Sequence, residues 1–265
     1  MELVVIGAGP AYTDRVGSAG SSYLVREGGT ALLLDFGQGA FPNLAAAIEP
    51  GALSAVAITH LHPDHFVDLV PLRHYLRYEF DPPRRVAVLG PAGLTARLDG
   101  LDGHAGFAAT SLDIAALAEA TGRIGQLELE ARLVAHTDES YAFRVSEATQ
   151  AAASGGAATD GAAHAGLVYS GDCGRADDLV PLIRPGDTLL CEASFGAGVV
   201  PPGASHLTAA NAARVALQGG AARLLLTHLQ MGYSPAEALE AARAVFPGPV
   251  DLVTEGDRFD PTRRQ

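Results

Sequence analysis

The segment Thr59-His60-Leu61-His62-Pro63-Asp64-His65 places three histidines and a carboxylate within six residues, directly after the apolar run Ala55-Val56-Ala57-Ile58. Imidazole and carboxylate are ligands that borderline divalent metals such as zinc prefer, and one ion takes about three or four of them from the protein. Neighbouring side chains cannot all converge on one ion, so the pattern His-x-His-x-Asp-His suggests two metals side by side. His60 and His62 alternate on extended chain and can point the same way. Pro63 is a favoured helix opener, with the helix expected to begin near Asp64, so that Asp64 and His65 turn toward a second ion. A lone histidine is ordinarily solvated or a satisfied core residue. The chain has nine histidines, and three of them in these six positions is a poor fit to chance.

Such a cluster needs ligands from elsewhere in the chain. Three residues stand where an apolar run meets a loop: His136 after Leu133-Val134-Ala135, Asp172 in Ser170-Gly171-Asp172, and His228 after Leu224-Leu225-Leu226-Thr227. Singly, each would read as a turn cap or an ordinary loop residue. Together they repeat the placement of His60.

The elements that must position these residues are short apolar segments separated by Gly and Pro. Residues 3–6, 22–26, 31–35, 55–59, 86–89, 127–134, 141–145, 167–169, 188–191, 224–227 and 250–253 read as strands. Residues 66–77 have helical spacing, residues 112–121 look helical with Gly122 closing them, and 208–218 is an Ala-rich helix closed by Gly219-Gly220. Ser234 caps a further helix with Pro235 at its first position. Strands dominate the first part and helices interleave later, which predicts an α/β fold of two packed sheets with helices outside. Gly7-Ala8-Gly9 lacks the third glycine of a dinucleotide loop, since that position holds Tyr12, and it reads as a turn. Residues 147–166 are Ala-, Gly-, Ser- and Thr-rich and are expected to be a flexible surface insertion within one domain spanning 1–265.

Composition narrows the function. Hydrophobic residues make up 48% of the 265, enough for a buried core, and net charge is −12. Long nucleic acids are gripped by a basic stripe, and the basic residues here are scattered, with short pairs at Arg84-Arg85 and Arg263-Arg264. A compact substrate is favoured over a large RNA, because bound metals supply positive charge locally. No apolar run is long enough to span a membrane. The N-terminus carries Glu2 rather than a basic region, and only Cys173 and Cys191 occur. A cytoplasmic, reducing location is the expectation.

The order of the motifs resembles the metallo-β-lactamase superfamily, over nearly the whole chain from Met1 to about Val253. The resemblance implies an αββα sandwich of two mixed β-sheets flanked by helices, with a dinuclear metal site along one edge of the sheets. It implies one ion held by His60, His62 and His136, another by Asp64, His65 and His228, and Asp172 bridging them. Leu34-Asp35-Phe36-Gly37 is similar to the family's early Asp–Gly turn, which supports the metal loop without binding metal. A single-metal lactamase would carry cysteine near position 172. The carboxylate there, with Cys173 its neighbour, resembles the phosphodiesterase-like branch instead.

Two further segments resemble the ribonuclease Z group. Leu190-Cys191-Glu192-Ala193-Ser194-Phe195 is similar to its His-Glu-Ala-Thr segment, with Cys191 in place of histidine. Ser205-His206-Leu207-Thr208 is similar to its His-Ser-Thr segment, with Leu207 in place of serine. The resemblance implies that Glu192 orients His206, which contacts the phosphate; read without it, the pair would cap the helix at 208–218. The group's long tRNA-gripping arm has no counterpart in the sequence. Ala135-His136-Thr137-Asp138-Glu139-Ser140, Tyr169-Ser170-Gly171-Asp172, Leu190 to Ser194 and Leu224 to His228 resemble the smaller actinobacterial class II cyclic-nucleotide phosphodiesterases.

The expectation is therefore a hydrolase that uses two divalent ions, zinc first and manganese or iron as alternatives, on a small phosphodiester such as 3′,5′-cyclic AMP. Asp64 orients the nucleophile, and His206, held by Glu192, serves the developing charge or the leaving alkoxide. A ribonuclease Z-like tRNA 3′-processing endonuclease would use the same residues. Thioesterases, lactonases and a non-catalytic metal-binding protein stand further off. Relatives of this kind often pair, which leaves a homodimer open. His74, His104 and His164 are left outside the site, and Cys173 is read as a small buried apolar residue.

Overall fold

A computed structural model describes residues 1–148 and 164–263. The strands, in chain order, are β1 (Glu2–Gly7), β2 (Ser22–Glu27), β3 (Thr30–Leu34), β4 (Ala55–Ala57), β5 (Val86–Gly90), β6 (Leu112–Ala116), β7 (Thr121–Ile124), β8 (Leu127–Leu133), β9 (Tyr141–Glu147), β10 (Leu167–Tyr169), β11 (Thr188–Glu192), β12 (Arg223–Thr227), β13 (Val250–Leu252) and β14 (Arg258–Phe259). They form two seven-stranded sheets, ordered β14-β1-β2-β3-β4-β5-β6 and β13-β12-β11-β10-β9-β8-β7. In the first, β14 through β3 run antiparallel and β3 through β6 parallel. In the second, β10 through β13 run parallel and β7 through β10 antiparallel. The α-helices are α1 (Phe41–Ala47), α2 (Pro63–Phe66), α3 (Leu69–Tyr78), α4 (Leu94–Asp102), α5 (Ala209–Gly219) and α6 (Pro235–Arg243).

Side-chain alternation along the strands divides the apolar residues among three cores. Leu3, Val5, Leu32 and Leu34 meet Leu129, Phe143, Leu190 and Leu225 between the sheets. Val4, Ile6, Leu33 and Val56 face outward and bury the inner sides of α1, α3 and α4. Val168, Leu189, Leu224 and Leu226 do the same for α5 and α6. Strands buried on both faces read as continuous apolar runs, which is why they stood out in the sequence. The layers are helix, sheet, sheet, helix: the expected αββα sandwich. No helix of the described residues is long and apolar enough to cross a membrane.

Several local expectations are corrected. Residues 112–121, expected as helix, contain strand β6, which pairs in parallel with β5 from Val86↔Leu112 to Gly90↔Ala116. Pairing beside a buried strand overrides the helix preference of its alanines. Gly122 closes no helix; it lies in β7, paired with Leu129. The single helix expected over 66–77 is two, α2 and α3. Pro71 has no N–H to continue the ladder, and Asp68 at the break accepts the Phe41 N–H at 2.7 Å. Helices α1 and α4 were not expected, so helices flank the first half as well as the second. Gly103, left-handed at φ 82°, closes α4 and was its legible stop signal. The insertion expected at 147–166 falls mostly outside the described residues.

The flanks of that segment are tied to one buried ion pair. Asp187 takes both Arg144 Nε (2.8 Å) and Nη2 (2.9 Å), and also accepts the N–H groups of Gly166 (2.7 Å) and Arg184 (2.9 Å). Both side chains are almost fully buried. Asp187→Ala leaves the guanidinium buried and unpaired, and the expected cost is roughly 3–5 kcal/mol. Urea denaturation checks it; a midpoint unchanged from wild type would refute the role of the pair.

Candidate metal centre

The expected ligands converge from both sheets at the ends of the strands. His60, His62, Asp64 and His65 follow β4; His136 follows β8, Asp172 follows β10 and His228 follows β12. The loop after β4 is fixed from below by Asp35. Its carboxylate accepts the Thr59 N–H (2.7 Å), the Thr59 hydroxyl (2.8 Å), the Tyr169 hydroxyl (2.7 Å) and His65 Nδ1 (2.7 Å). Asp35 and His228 are the two non-glycine residues with positive φ, at 56° and 58°, among the described residues. Such backbone persists only where the surroundings over-determine it. Gly37 must lack a side chain, because a Cβ there would lie 2.0 Å from the Asp64 carbonyl oxygen. Gly7-Ala8-Gly9, expected as a turn, is instead the end of β1 followed by a bridge from Gly9 to Gly20, and a Cβ at Gly7 would lie 2.0 Å from the Gly20 carbonyl oxygen; the Ala8 carbonyl accepts the His228 N–H at 3.0 Å.

The hydrogen bonds select which ring nitrogen each histidine presents. Thr59 gives its hydroxyl proton to Asp35, so its oxygen accepts His60 Nδ1–H at 3.0 Å. Ser194 gives its proton to Glu192 (2.6 Å), so it accepts His228 Nδ1–H at 3.0 Å. His136 Nδ1 donates to the Ser205 carbonyl (2.8 Å) and His65 Nδ1 to Asp35. In all four rings Nε2 is left with the lone pair facing inward.

The expected ligands form two groups, and Glu192, His206 and His228 make a third cluster of close donor atoms. His60 Nε2 lies 3.0 Å from His62 Nδ1, which lies 3.1 Å from His136 Nε2. Tetrahedral ligation at about 2.0–2.1 Å separates two nitrogens by roughly 3.3 Å, close to this spacing. Asp172 closes that group, and Asp64, His65, Asp172 and His228 form a second. The two carboxylate oxygens of Asp172 divide between them. Oδ2 is 3.8 Å from His60 and 3.7 Å from His136, while Oδ1 is 3.3 Å from His65 and 3.6 Å from His228. His65 Nε2 and Asp172 Oδ1 are buried with no hydrogen-bond partner. Buried polar atoms left in this state, 3.3 Å apart within the second group, fit a divalent cation. The donor set therefore fits divalent metal, and Asp172 offers one oxygen to each group.

Electrostatics agree. Burial lowers the pKa of His60, His62 and His136, which favours the neutral, ligating form. Burial acts against charge on His65 and His228 too, but Asp172 with Asp35 raises the first, and Asp172 with Asp64 raises the second. Burial likewise opposes ionisation of Asp64 and Asp172, and His228 and His65 hold both carboxyls below the ordinary range.

Beside the second group, His206 Nδ1 contacts Glu192 Oε1 at 3.1 Å and lies 3.8 Å from Asp172 Oδ2. Glu192 is 1% exposed and also accepts the Cys173 and Ser194 N–H groups. Neither residue caps the following helix, because Thr208 and Asn211 cap α5 reciprocally. Burial depresses the His206 pKa, but the Glu192 hydrogen bond and charge outweigh it and raise the value above ordinary. Three contributors had no role assigned from the sequence: Ser194, which joins Glu192, His206 and His228, together with Thr59 and Tyr169. Each stands inside a quoted motif, so proximity to a ligand was the available signal. Cys173 is buried, its thiol pushed up to about 12 by burial, and it packs in the apolar core beneath α5. His74 and His104 lie exposed on and after helices, and His164 is exposed; none joins the cluster.

Residues 32–229 match the beta-lactamase superfamily domain. The chain belongs to this superfamily. An uncharacterised protein of Mycobacterium leprae is 35% identical over 250 residues, covering 92% of this chain and 83% of that protein. YhfI of Bacillus subtilis, named a probable metallo-hydrolase, is 26% identical over 262 residues, covering 97% and 98%. The YhfI crystal structure gives a TM-score of 0.81 at 24% identity, covering 98% of this chain and 99% of that one. The short form of human tRNase Z gives 0.73 at 21%, covering 98% and 99%. Both likenesses show the metallo-β-lactamase fold.

Asp35→Asn keeps the shape and weakens the brace on His65 and Thr59. Zinc affinity should fall about 10- to 100-fold, read by competition with a chromophoric chelator; unchanged affinity would refute the brace. Ligation requires neutral rings, and the raised pKa values of His65 and His228 mean that protons compete there. Zinc binding should therefore release protons and weaken as pH falls. Calorimetry in two buffers of different ionisation enthalpy checks this; equal heats would contradict it.

Proposed function

We propose that this chain, a hydrolase of the metallo-β-lactamase fold, cleaves a small phosphodiester such as 3′,5′-cyclic AMP as one catalytic domain. The observation that carries the reading is the Glu192–His206 pair, set 3.1 Å apart and 3.8 Å from the bridging carboxylate Asp172. His60, His62 and His136 would hold one divalent ion, Asp64, His65 and His228 the other, and Asp172 both. Zinc suits these ligands, with manganese or iron as alternatives. Bound there, the ions supply Lewis acidity toward phosphate oxygens and a water acidic enough to ionise near neutral pH.

The chain's own residues do the rest. Glu192 fixes Nδ1 of His206 and favours its protonated form, and Nε2 makes no hydrogen bond to a described residue. That ring can hold a proton for the leaving alkoxide, the role a general acid with raised pKa serves. Asp64 Oδ2 lies 3.2 Å from His228 Nε2 in the second ligand group, where it would orient the attacking oxygen. An acyl or lactone substrate would have less use for a second acid so placed. A tRNA 3′-endonuclease would use the same residues, and the net charge of −12 weighs against a long polyanion.

The test is hydrolysis by zinc- or manganese-loaded protein of 3′,5′-cyclic AMP and of a pre-tRNA with a 3′ trailer. Cleavage of the cyclic nucleotide alone is expected, and Asp172→Ala should abolish it. Cleavage of the trailer would make the chain a nuclease. His206→Ala should lower kcat about 10²- to 10⁴-fold with metal content near wild type. Elemental analysis showing metal loss in that variant would place His206 in the ligand shell and overturn its role.

A further inference from the structure

His62 is the exposed member of its ligand group, whereas His60 and Asp172 are buried. On its open side lies a hollow of about 320 Å³, lined by Leu61, His62, Pro91, Gly93, Arg97 and the turn 137–139. This volume is at the lower end of small-ligand pockets, roughly 300–1,000 Å³. Because His62 belongs to both, the hollow opens directly beside the candidate metal centre.

The two walls differ in chemistry. One is apolar: Leu61 lies between two candidate ligands, and Gly93 faces it so closely that a Cβ would come within 3.1 Å of Leu61 Cδ1. Arg97, on α4, is exposed and has no carboxylate partner among the described residues. Its planar guanidinium is free to stack on, or donate to, a heteroaromatic ring. The opposite wall is a turn held rigid by Thr137 and Ser140, whose hydroxyls are 2.6 Å apart. Glu139 in this turn accepts the Ala92 N–H (3.1 Å) and the Tyr141 hydroxyl (3.0 Å), tying the turn to the segment that leads into α4. Asp138 presents an exposed carboxylate, an acceptor for sugar hydroxyls. Two carboxylates against one guanidinium disfavour a second phosphate in this space.

We propose that this hollow is the subsite for the nucleoside part of the substrate, with Arg97 contacting the base and Asp138 the ribose. The assignment rests on the phosphodiesterase reading for its substrate class, and it makes a mononucleotide, rather than a bare phosphodiester, the group that is recognised. Thr137, Asp138 and Glu139 lie next to the ligand His136, so the same short loop supplies a ligand and one wall of the subsite.

Zinc-loaded full-length protein is titrated calorimetrically with adenosine 5′-monophosphate and, separately, with inorganic phosphate. Arg97→Ala and Asp138→Asn should each weaken the nucleotide about tenfold and leave phosphate affinity within about twofold. In turnover, both variants should raise KM for the cyclic nucleotide with kcat retained, and leave bis(p-nitrophenyl) phosphate hydrolysis unchanged. Nucleotide affinity unaffected by both substitutions, or no nucleotide binding by wild type, overturns the subsite. Equal losses for nucleotide and phosphate overturn it too, because Arg97 would then hold phosphate. Arg97-dependent nucleotide binding without hydrolysis of the cyclic nucleotide supports the subsite while refuting the phosphodiesterase reading.

Discussion

Three carboxylates, Asp35, Asp64 and Asp172, are buried together with imidazoles as their nearest charged or chargeable partners. Burying a carboxylate without compensation is costly, and imidazole offers only a shared proton or a shared metal. This constraint accounts for much of the architecture around it. Asp35 is satisfied entirely by donors, with four hydrogen bonds that shape the β4 loop. Asp64 and Asp172 are left with oxygens facing ring nitrogens. Asp35 meets donors on every side, whereas the Asp172 Oδ1 atom has no hydrogen-bond partner and both Asp64 and Asp172 lie within the candidate metal centre.

The sandwich makes this arrangement rigid. Each sheet has apolar residues on both faces, so its strands cannot slide without moving whole rows of side chains between cores. Loops leaving β4, β8, β10 and β12 start from fixed points on two sheets and meet over the interlayer core. Tyr23 and Tyr169 show the coupling: their rings pack 4.8 Å apart in that core, and their hydroxyls reach Thr227, which precedes His228, and Asp35, which binds His65. The floor of the candidate metal centre is thus the top of the hydrophobic core. Tautomer choice follows from the same scaffold, since Thr59, Ser194, Asp35 and the Ser205 carbonyl are placed by backbone rather than by the rings they orient.

Most of the candidate site could be read from the chain because its residues are rare types at repeated positions. His60 to His65 announce themselves by density, and His136, Asp172 and His228 by following apolar runs. Ser194 and Thr59 could not be assigned in this way. A serine or threonine near a strand end is common, and its role depends on where its single proton goes, which only the assembled site shows. The missed elements have a similar cause. Helix α1 is short and poorly patterned, and β6 and β7 take their conformation from neighbouring strands. For residues 112–116, alanine content favours helix, whereas pairing with a buried strand favours extension, and the second is visible only in three dimensions.

By itself the sequence determined the candidate ligand types, their order, the apolar strands and a fold of two packed sheets with helices outside, because periodicity and side-chain chemistry are local properties. Tertiary structure decided which nitrogen each histidine presents, how Asp172 divides its oxygens, and that Glu192 and His206 meet rather than cap a helix. It also decided that the turn after His136 and the start of α4 enclose a hollow beside His62. Those outcomes depend on contacts between residues tens to more than a hundred positions apart, such as Tyr169 with Asp35 and Ala92 with Glu139. No local pattern in the chain encodes such distances; they are set when the two sheets pack and their loops are brought to one edge.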